Sequence, residues 1–379
     1  MSKGTLLITG ASGYLGFAIL LRALREGYTP HIVVRSAAKL DFVKNAPDLV
    51  ALPNASTCKY FIVPDLTAPG SLDQATAGCD YVIHGASPLP WQLCEPELQH
   101  AQLVVPAVAC TLSALESARR SKTVKRVVCI SSMAAFTPPE LMGPLIPDSP
   151  VHISEDRIPP EASPPFADVV TAYCASKNAA LRRSIEWMAE QGGGVGAGFD
   201  LVALAPVYVA GRHPLATSTR DLWDSSNSLF LRLLAGKTAG WTEGVDAPEV
   251  AGGVHVDDVV ELHLRALDRD QVPTPPATGV ELCTVAVQME WKDVAAAAKR
   301  LFPKEVESGL LPCSVVGSKT QVRFDSGKVE RLFGVKLRGL DEMLESLVPQ
   351  YLELLEKEGK EGEGAPEWMK DGKVGGGAV

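Results

Sequence analysis

Residues 5–16 read TLLITGASGYLG, an apolar run of strand length that meets three glycines at positions 10, 13 and 16. Leu6, Leu7 and Ile8 suit a strand buried on both faces, and Phe17, Leu20, Leu21 and Leu24 then recur at helical spacing as far as Gly27. A strand that turns into a helix through spaced glycines is a cradle for a pyrophosphate. Gly10 permits the tight turn, Gly13 lets backbone N–H groups approach the phosphates, and Gly16 lets the helix pack on the strand. The positive end of the helix then faces the anion. Ser12, Tyr14 and Leu15 share this loop and first helical turn and are expected to line the bound dinucleotide. His31–Val34 supplies the second strand of a βαβ unit.

The residue that closes this second strand selects the dinucleotide. An acidic side chain there would bond the ribose 2′-hydroxyl of NAD, but the chain has Arg35, with Lys39 four residues on. Two cations suit a 2′-phosphate, so NADP(H) is the expected cofactor.

Apolar strand candidates alternate with helical patterns through the first two hundred residues. Strands are expected at 59–63, 81–85, 126–131 and 200–204, and helices at 38–46, 97–120 and 171–191. This alternation predicts an α/β fold of the Rossmann type, a doubly wound parallel sheet whose ligands sit at the carboxyl ends of the strands. Residues 1–205 are read as the dinucleotide-binding domain, with the chain returning to it over 250–285. Residues 206–250 and 286–356 are read as a smaller, mostly helical substrate lobe, with helices near 224–236, 256–268, 290–302, 325–333 and 339–358. The charged, glycine-rich stretch 357–379 is expected to be a disordered tail. The proline-rich stretch 137–165 is expected to be a long loop, and Gly192–Gly198 a flexible surface turn.

With 379 residues, 46% of them apolar, the chain can bury a large core. A net charge of −9, with no basic block, argues against nucleic acid as a partner. Eight cysteines are scattered without metal or redox spacing, so neither a disulfide nor a metal site is expected. The first strand begins within a few residues of Met1, and no apolar run of membrane-spanning length stands out. The protein is therefore expected to be soluble and cytoplasmic, a monomer or homodimer, with no membrane partner.

Two further stretches carry chemistry. Tyr173-Cys174-Ala175-Ser176-Lys177 opens a helix, and its i,i+4 spacing sets the phenol and the ammonium on one face. A phenol is a poor acid near neutrality unless a cation stabilises its phenolate, which Lys177 can do. Ser131-Ser132 directly follows the 126–131 strand, where a hydroxyl can bond a carbonyl oxygen as negative charge builds on it. His255, Asp257 and Asp258 suggest a metal cluster only superficially, and a structural role is expected for them.

TGASGYLG, Arg35, Asp65-Leu66, HGAS at 84–87, ISS at 130–132, YCASK at 173–177, APVYVAG at 205–211 and VHVDDVVELH at 254–263 occur in order. Together they resemble an extended short-chain dehydrogenase/reductase, over roughly residues 1–350 and nearest to dihydroflavonol-reductase-like and fungal carbonyl reductases. The resemblance implies that Ser132 polarises a carbonyl and that Tyr173 donates the proton. Lys177 would lower the tyrosine pKa and bond the nicotinamide ribose. It places Asp65 and Leu66 around the adenine, Gly85, Ala86 and Ser87 along the path to the ribose, and Pro206 and Val209 on the nicotinamide face. The implied reaction is NADPH-dependent reduction of an aldehyde or ketone, hydrophobic or aromatic, with Trp91 and Phe230 expected at the substrate. Alternatives are a sugar-nucleotide epimerase, a hydroxysteroid-type dehydrogenase, or a dinucleotide-binding redox sensor without turnover. Met133 stands where related dehydratases place an acidic pair, and the Tyr/Lys pair that such sensors typically lose is retained.

Overall fold

The pairing of the strands follows from their apolar runs. In the computed structural model, which describes residues 3–89, 95–138, 141, 150–235, 250–275, 277–314 and 321–359, seven strands form one parallel sheet. They are β1 (Thr5–Thr9), β2 (Thr29–Val34), β3 (Lys59–Ile62), β4 (Tyr81–His84), β5 (Arg126–Ile130), β7 (Asp200–Pro206) and β10 (Val280–Val285), in the order β10-β7-β5-β4-β1-β2-β3. A short strand, β6 (Val151–Ile153), precedes β7, and β8 (Val209–Ala210) and β9 (Gly252–His255) precede β10. β11 (Val287–Gln288) joins β9 and β8 in a three-stranded sheet, and β12 (Val322–Phe324) pairs with β6.

Register places alternate residues on opposite faces. Ile32, Ile8, Ile83, Val128 and Val202 line up across neighbouring strands. This row packs beneath α1 (Tyr14–Arg25), through Phe17, Leu20 and Leu24. On the other face Leu7, Val82, Val127 and Leu201 pack against two long helices that follow α2 (Ala37–Lys44), namely α3 (Val105–Ser121) and α4 (Val169–Glu190). Strand order reverses at β1, between β2 and β4, and this opens a crevice at their carboxyl ends.

The other helices of eight or more residues among the described residues are α5 (Asn227–Ala235), α6 (Val256–Arg265), α7 (Trp291–Leu301) and α8 (Leu340–Lys357). α6 joins α1 on the first face of the sheet. α5, α7 and α8 share a separate core around Phe230, Trp291, Met343 and Tyr351, which is the helical lobe.

Three details depart from the sequence reading. Gly193–Ala197 is a packed helical turn rather than a loose one, because Gly194 and Gly279 approach so closely that a Cβ on Gly279 would lie 2.3 Å from the Gly194 nitrogen. The proline-rich stretch carries the strand β6, held through its pairing with β12. The segment His100–Ser121 does have the length and apolar content to cross a membrane. Half of it is buried, and its apolar face is accounted for by packing on α4 and the sheet. Residues 360–379, the rest of the expected tail, lie outside the described residues.

Candidate active site

Gly10 sits at φ +81°, in the left-handed region, and a Cβ on it would lie 2.9 Å from the Gly85 carbonyl carbon. Gly16 is closed as well, since its Cβ would fall 2.2 Å from the Gly10 oxygen. Gly13 is different. A Cβ there meets only the Gly10 oxygen, at 3.5 Å, so that position faces open space. It is also the N-cap of α1, with no side chain capping the helix and no acidic residue in its first turn. The first-turn N–H groups are thus left for an anion, which fits the pyrophosphate of a dinucleotide.

A cavity of about 360 Å³ begins at this loop. Gly10, Gly13, Tyr14, Leu15 and Gly16 line it, followed by Gly85 and Ser87, then Ser132, Tyr173 and Lys177, then Pro206 and Val209. Ser12, Arg35, Lys39, Asp65, Leu66 and Ala86 are not part of its wall. Arg35 is exposed at the end of β2, with no acidic residue in the first turn of the adjoining α2, which Ser36 caps. Lys39 lies over the Phe42 ring, 5.2 Å from its centroid. Asp65 is exposed and holds the Thr67 backbone N–H and hydroxyl at 2.8 and 2.6 Å, which lowers its pKa. The Ala86 N–H and its Gly85 neighbour both donate to the Thr9 hydroxyl, at 3.2 Å each. With both N–H groups donating to it, Thr9 is left to donate its own proton to His84 Nδ1, 3.0 Å away. His84, neutral because burial lowers its pKa to about 4, thus fixes the turn from which Gly85 and Ser87 face the cavity.

The reactive side chains come from two elements. Ser132 follows β5 and caps a short 3₁₀ turn, accepting from the Ala134 N–H at 3.2 Å. Tyr173 and Lys177 lie near the start of α4, whose N-terminus is capped by Asp168 accepting from the Thr171 N–H at 2.7 Å. Asn178 ties these elements together. Its amide donates to the Ala135 and Pro159 carbonyls at 3.0 and 3.1 Å, so α4 is clamped to the turn that carries Ser132.

Burial controls the ionisation of this group. It pushes the Tyr173 phenol up to about 12, while the Ser132 side chain pulls it back down. It also pulls Lys177 down to about 8, against the partial offset of nearby Cys129. The Lys177 ammonium lies 5.5 Å from the centroid of the Tyr173 ring. The isolated side chains therefore present a protonated phenol beside a cation at neutral pH, and desolvation outweighs any lowering of the phenol by the lysine.

Beyond the triad the wall is mostly apolar: Leu89, Met133, Val170, Tyr208, Leu229 and Val250. Trp223, Arg232 and the serines at 225, 226 and 228 also line it. Of the two substrate residues expected from sequence, Trp91 lies outside the described residues. Phe230 is fully buried in the lobe core, edge-on to Trp291 with ring centroids 5.8 Å apart, and its neighbour Leu229 takes the wall position. Tyr208 went unnoticed although it lies within the motif 205–211. His255 and Asp258 have structural partners: His255 accepts from the Asp257 N–H at the start of α6, and Asp258 pairs with Arg338.

Comparison with known proteins bears on the family and the fold. The profile of the NAD dependent epimerase/dehydratase family matches residues 6–278. Ketoreductase CTB6 of Cercospora beticola is 34% identical over 369 residues, which cover 94% of this chain and 98% of that protein. Dihydroflavonol 4-reductase of Gerbera hybrida is 28% identical over 283 residues, covering 75% of this chain and 69% of its own length. Among solved structures, yeast methylglyoxal/isovaleraldehyde reductase Gre2 complexed with NADPH superposes with a TM-score of 0.73 at 23% identity, covering 94% of this chain and 99% of the other.

Proposed function

Because the chain belongs to the NAD dependent epimerase/dehydratase family, within the extended short-chain dehydrogenases/reductases, we propose that it reduces an aldehyde or ketone to the alcohol using NADPH. The observation that carries this reading is the meeting of Ser132, Tyr173 and Lys177 midway along one cavity. Glycines prepared for a pyrophosphate lie at one end of it and an apolar wall at the other.

The side chains fit the roles that reduction requires. Tyr173, held protonated by burial, is the proton donor to the developing alkoxide. Ser132 has its oxygen fixed by the Ala134 N–H, so its own proton is available to the carbonyl oxygen as charge develops. Lys177, charged at neutral pH, stabilises the phenolate left behind and orients the nicotinamide ribose. NADPH, when bound, supplies the hydride. Arg35, which forms no ion pair among the described residues, is suited to the 2′-phosphate, and Lys39 stands one helical turn beyond it. The apolar wall suits a hydrophobic or aromatic substrate.

The test is oxidation of NADPH and of NADH against a panel of aldehydes, ketones and β-keto esters. Turnover is expected with NADPH, and Arg35→Ala is expected to raise its KM by roughly ten- to a hundredfold, from the ~1.5–3 kcal/mol of a charge-assisted bond. KM for NADH should barely change. Equal use of both cofactors, unaltered by Arg35→Ala, refutes the NADPH assignment, and no turnover of any carbonyl refutes the reductase reading.

A further inference from the structure

Tyr14 stands in the phosphate loop, yet its side chain is held by a distant part of the chain. The residue is 1% exposed, and its hydroxyl donates to the Gly211 carbonyl at 2.9 Å, nearly two hundred positions along the chain. Its ring stacks on His213, with centroids 4.5 Å apart and planes within 10°. Gly211 and His213 belong to the connection that follows β8, and this connection is gripped from the helical lobe as well. Asn227, the first residue of α5, is fully buried and makes a reciprocal pair with Gly211: it donates to the carbonyl at 2.9 Å and accepts from the N–H at 3.0 Å. Gln350 of α8 does the same for His213, accepting from its N–H at 2.8 Å and donating to its carbonyl at 2.9 Å.

Gly211 thus uses its N–H and both lone pairs of its carbonyl on Asn227 and Tyr14, and the site leaves no room for a side chain there. It lies at φ +133°, and a Cβ on it would meet Val256 at 2.8 Å and the Ser346 hydroxyl at 3.0 Å. Closely packed groups of this kind move together or not at all. One side of the junction is the first turn of α1, whose uncapped N–H groups would face a bound pyrophosphate. The other is the start of α5, which carries Leu229 and Arg232 into the cavity wall and is preceded by the wall residue Ser226, itself donating to the Val209 carbonyl at 2.6 Å.

We propose that Tyr14 is a positioning residue for the substrate wall: through Gly211 and His213 it couples dinucleotide binding at the glycine loop to the placement of α5. This rests on the reductase reading only for its kinetic consequence. Dinucleotide engagement that steadies the first turn of α1 steadies α5 through this junction, and the substrate then meets an ordered wall.

The test compares wild type with Tyr14→Phe, which keeps the ring over His213 and removes only the hydroxyl, and with Asn227→Asp, which keeps the acceptor for the Gly211 N–H. NADPH, supplied at saturation for each protein according to its own measured Kd, is expected to slow hydrogen exchange across residues 227–235 in wild type and to do so at least threefold less in both variants. With a carbonyl substrate and saturating NADPH, KM is expected to rise roughly three- to tenfold in Tyr14→Phe, by more than kcat falls. Wild-type-like protection of 227–235 in the variants overturns the proposal. So does a loss confined to NADPH affinity, or a parallel fall of kcat and kcat/KM with melting temperature, which marks a merely structural role. Should the wild type reduce no carbonyl, the reductase reading fails, while the exchange measurement still decides the coupling.

Discussion

The two ends of the cavity are made from different kinds of structure. The dinucleotide end is set largely by backbone, a glycine at φ +81° and helix N–H groups without a cap, and it leads to a serine and a Tyr/Lys pair on rigid elements clamped together by Asn178. At the substrate end the wall comes from side chains of α5, of Val170 at the start of α4, of Leu89, Met133, Tyr208 and Val250, and of the segment 223–226. The first end constrains residue type strongly, because few residues satisfy its geometry. The second accepts any side chain of suitable size, so its identity decides which carbonyl is accepted while leaving the chemistry alone.

The contrast is broken most directly at the triad. Tyr173→Phe removes the proton donor without changing the shape of the cavity, and kcat is expected to fall by about two to four orders of magnitude, the range for a lost general acid. Affinity for NADPH, measured by fluorescence titration, should stay nearly intact. Normal turnover in this variant removes Tyr173 from the mechanism and dissolves the division between the two ends.

How legible each end was in the sequence follows from the same division. Gly10, Gly13 and Gly16 announced themselves because a side chain at Gly10 or Gly16 would collide with backbone, and Tyr173 and Lys177 because four residues make about one helical turn. The sheet was readable because its central strands are apolar at nearly every position. The strand β6 was not, since three residues among prolines depend on a partner, β12, some 170 positions away. On α5 the polar residues of NSLFLRLLA, Asn227, Ser228 and Arg232, share one side of the helix and Phe230 lies away from them. That pattern alone does not say which side meets a ligand, and Phe230 was read as wall where the fold turns Leu229 to the cavity instead.

That displacement makes the second prediction. Phe230→Ala empties a fully buried site against Trp291, and is expected to lower the unfolding free energy by about 3–5 kcal/mol in urea titration. Relative kcat/KM among substrates of different size should stay within about twofold. A shift in selectivity at unchanged stability would return Phe230 to the substrate wall.

The third sharpens the comparison through pH. Near Lys177, held at about 8 by burial, Cys129 is pushed up to about 12 and His84 pulled down to about 4, so neither titrates close to 8. Tyr173, near 12, stays protonated throughout the working range. Raising the pH through 8 therefore removes one charge from the dinucleotide end, and kcat/KM for NADPH is expected to fall by about tenfold per unit above it. Lys177→Arg keeps the charge and should abolish that limb even if its overall activity is lower. A limb that persists in this variant belongs to another group.

The smallest effect is expected where the wall meets substrate. Leu229 is only partly buried and lines the cavity beside Ser228, so trimming it to alanine opens space without emptying the lobe core. Lost contact with a bulky substrate at such a site is worth ~1 kcal/mol, or about fivefold in kcat/KM, whereas a small aldehyde that does not reach the wall loses nothing. The Kd for NADPH should not move, since the link from α5 to Tyr14 of the glycine loop runs through Asn227 and Gly211, which this substitution leaves in place. The measurement is the ratio of kcat/KM for an aromatic ketone to that for a short aliphatic aldehyde. A ratio unchanged by Leu229→Ala, or a uniform loss across the panel, would show that α5 does not select the substrate and that the division between the two ends of the cavity is drawn in the wrong place.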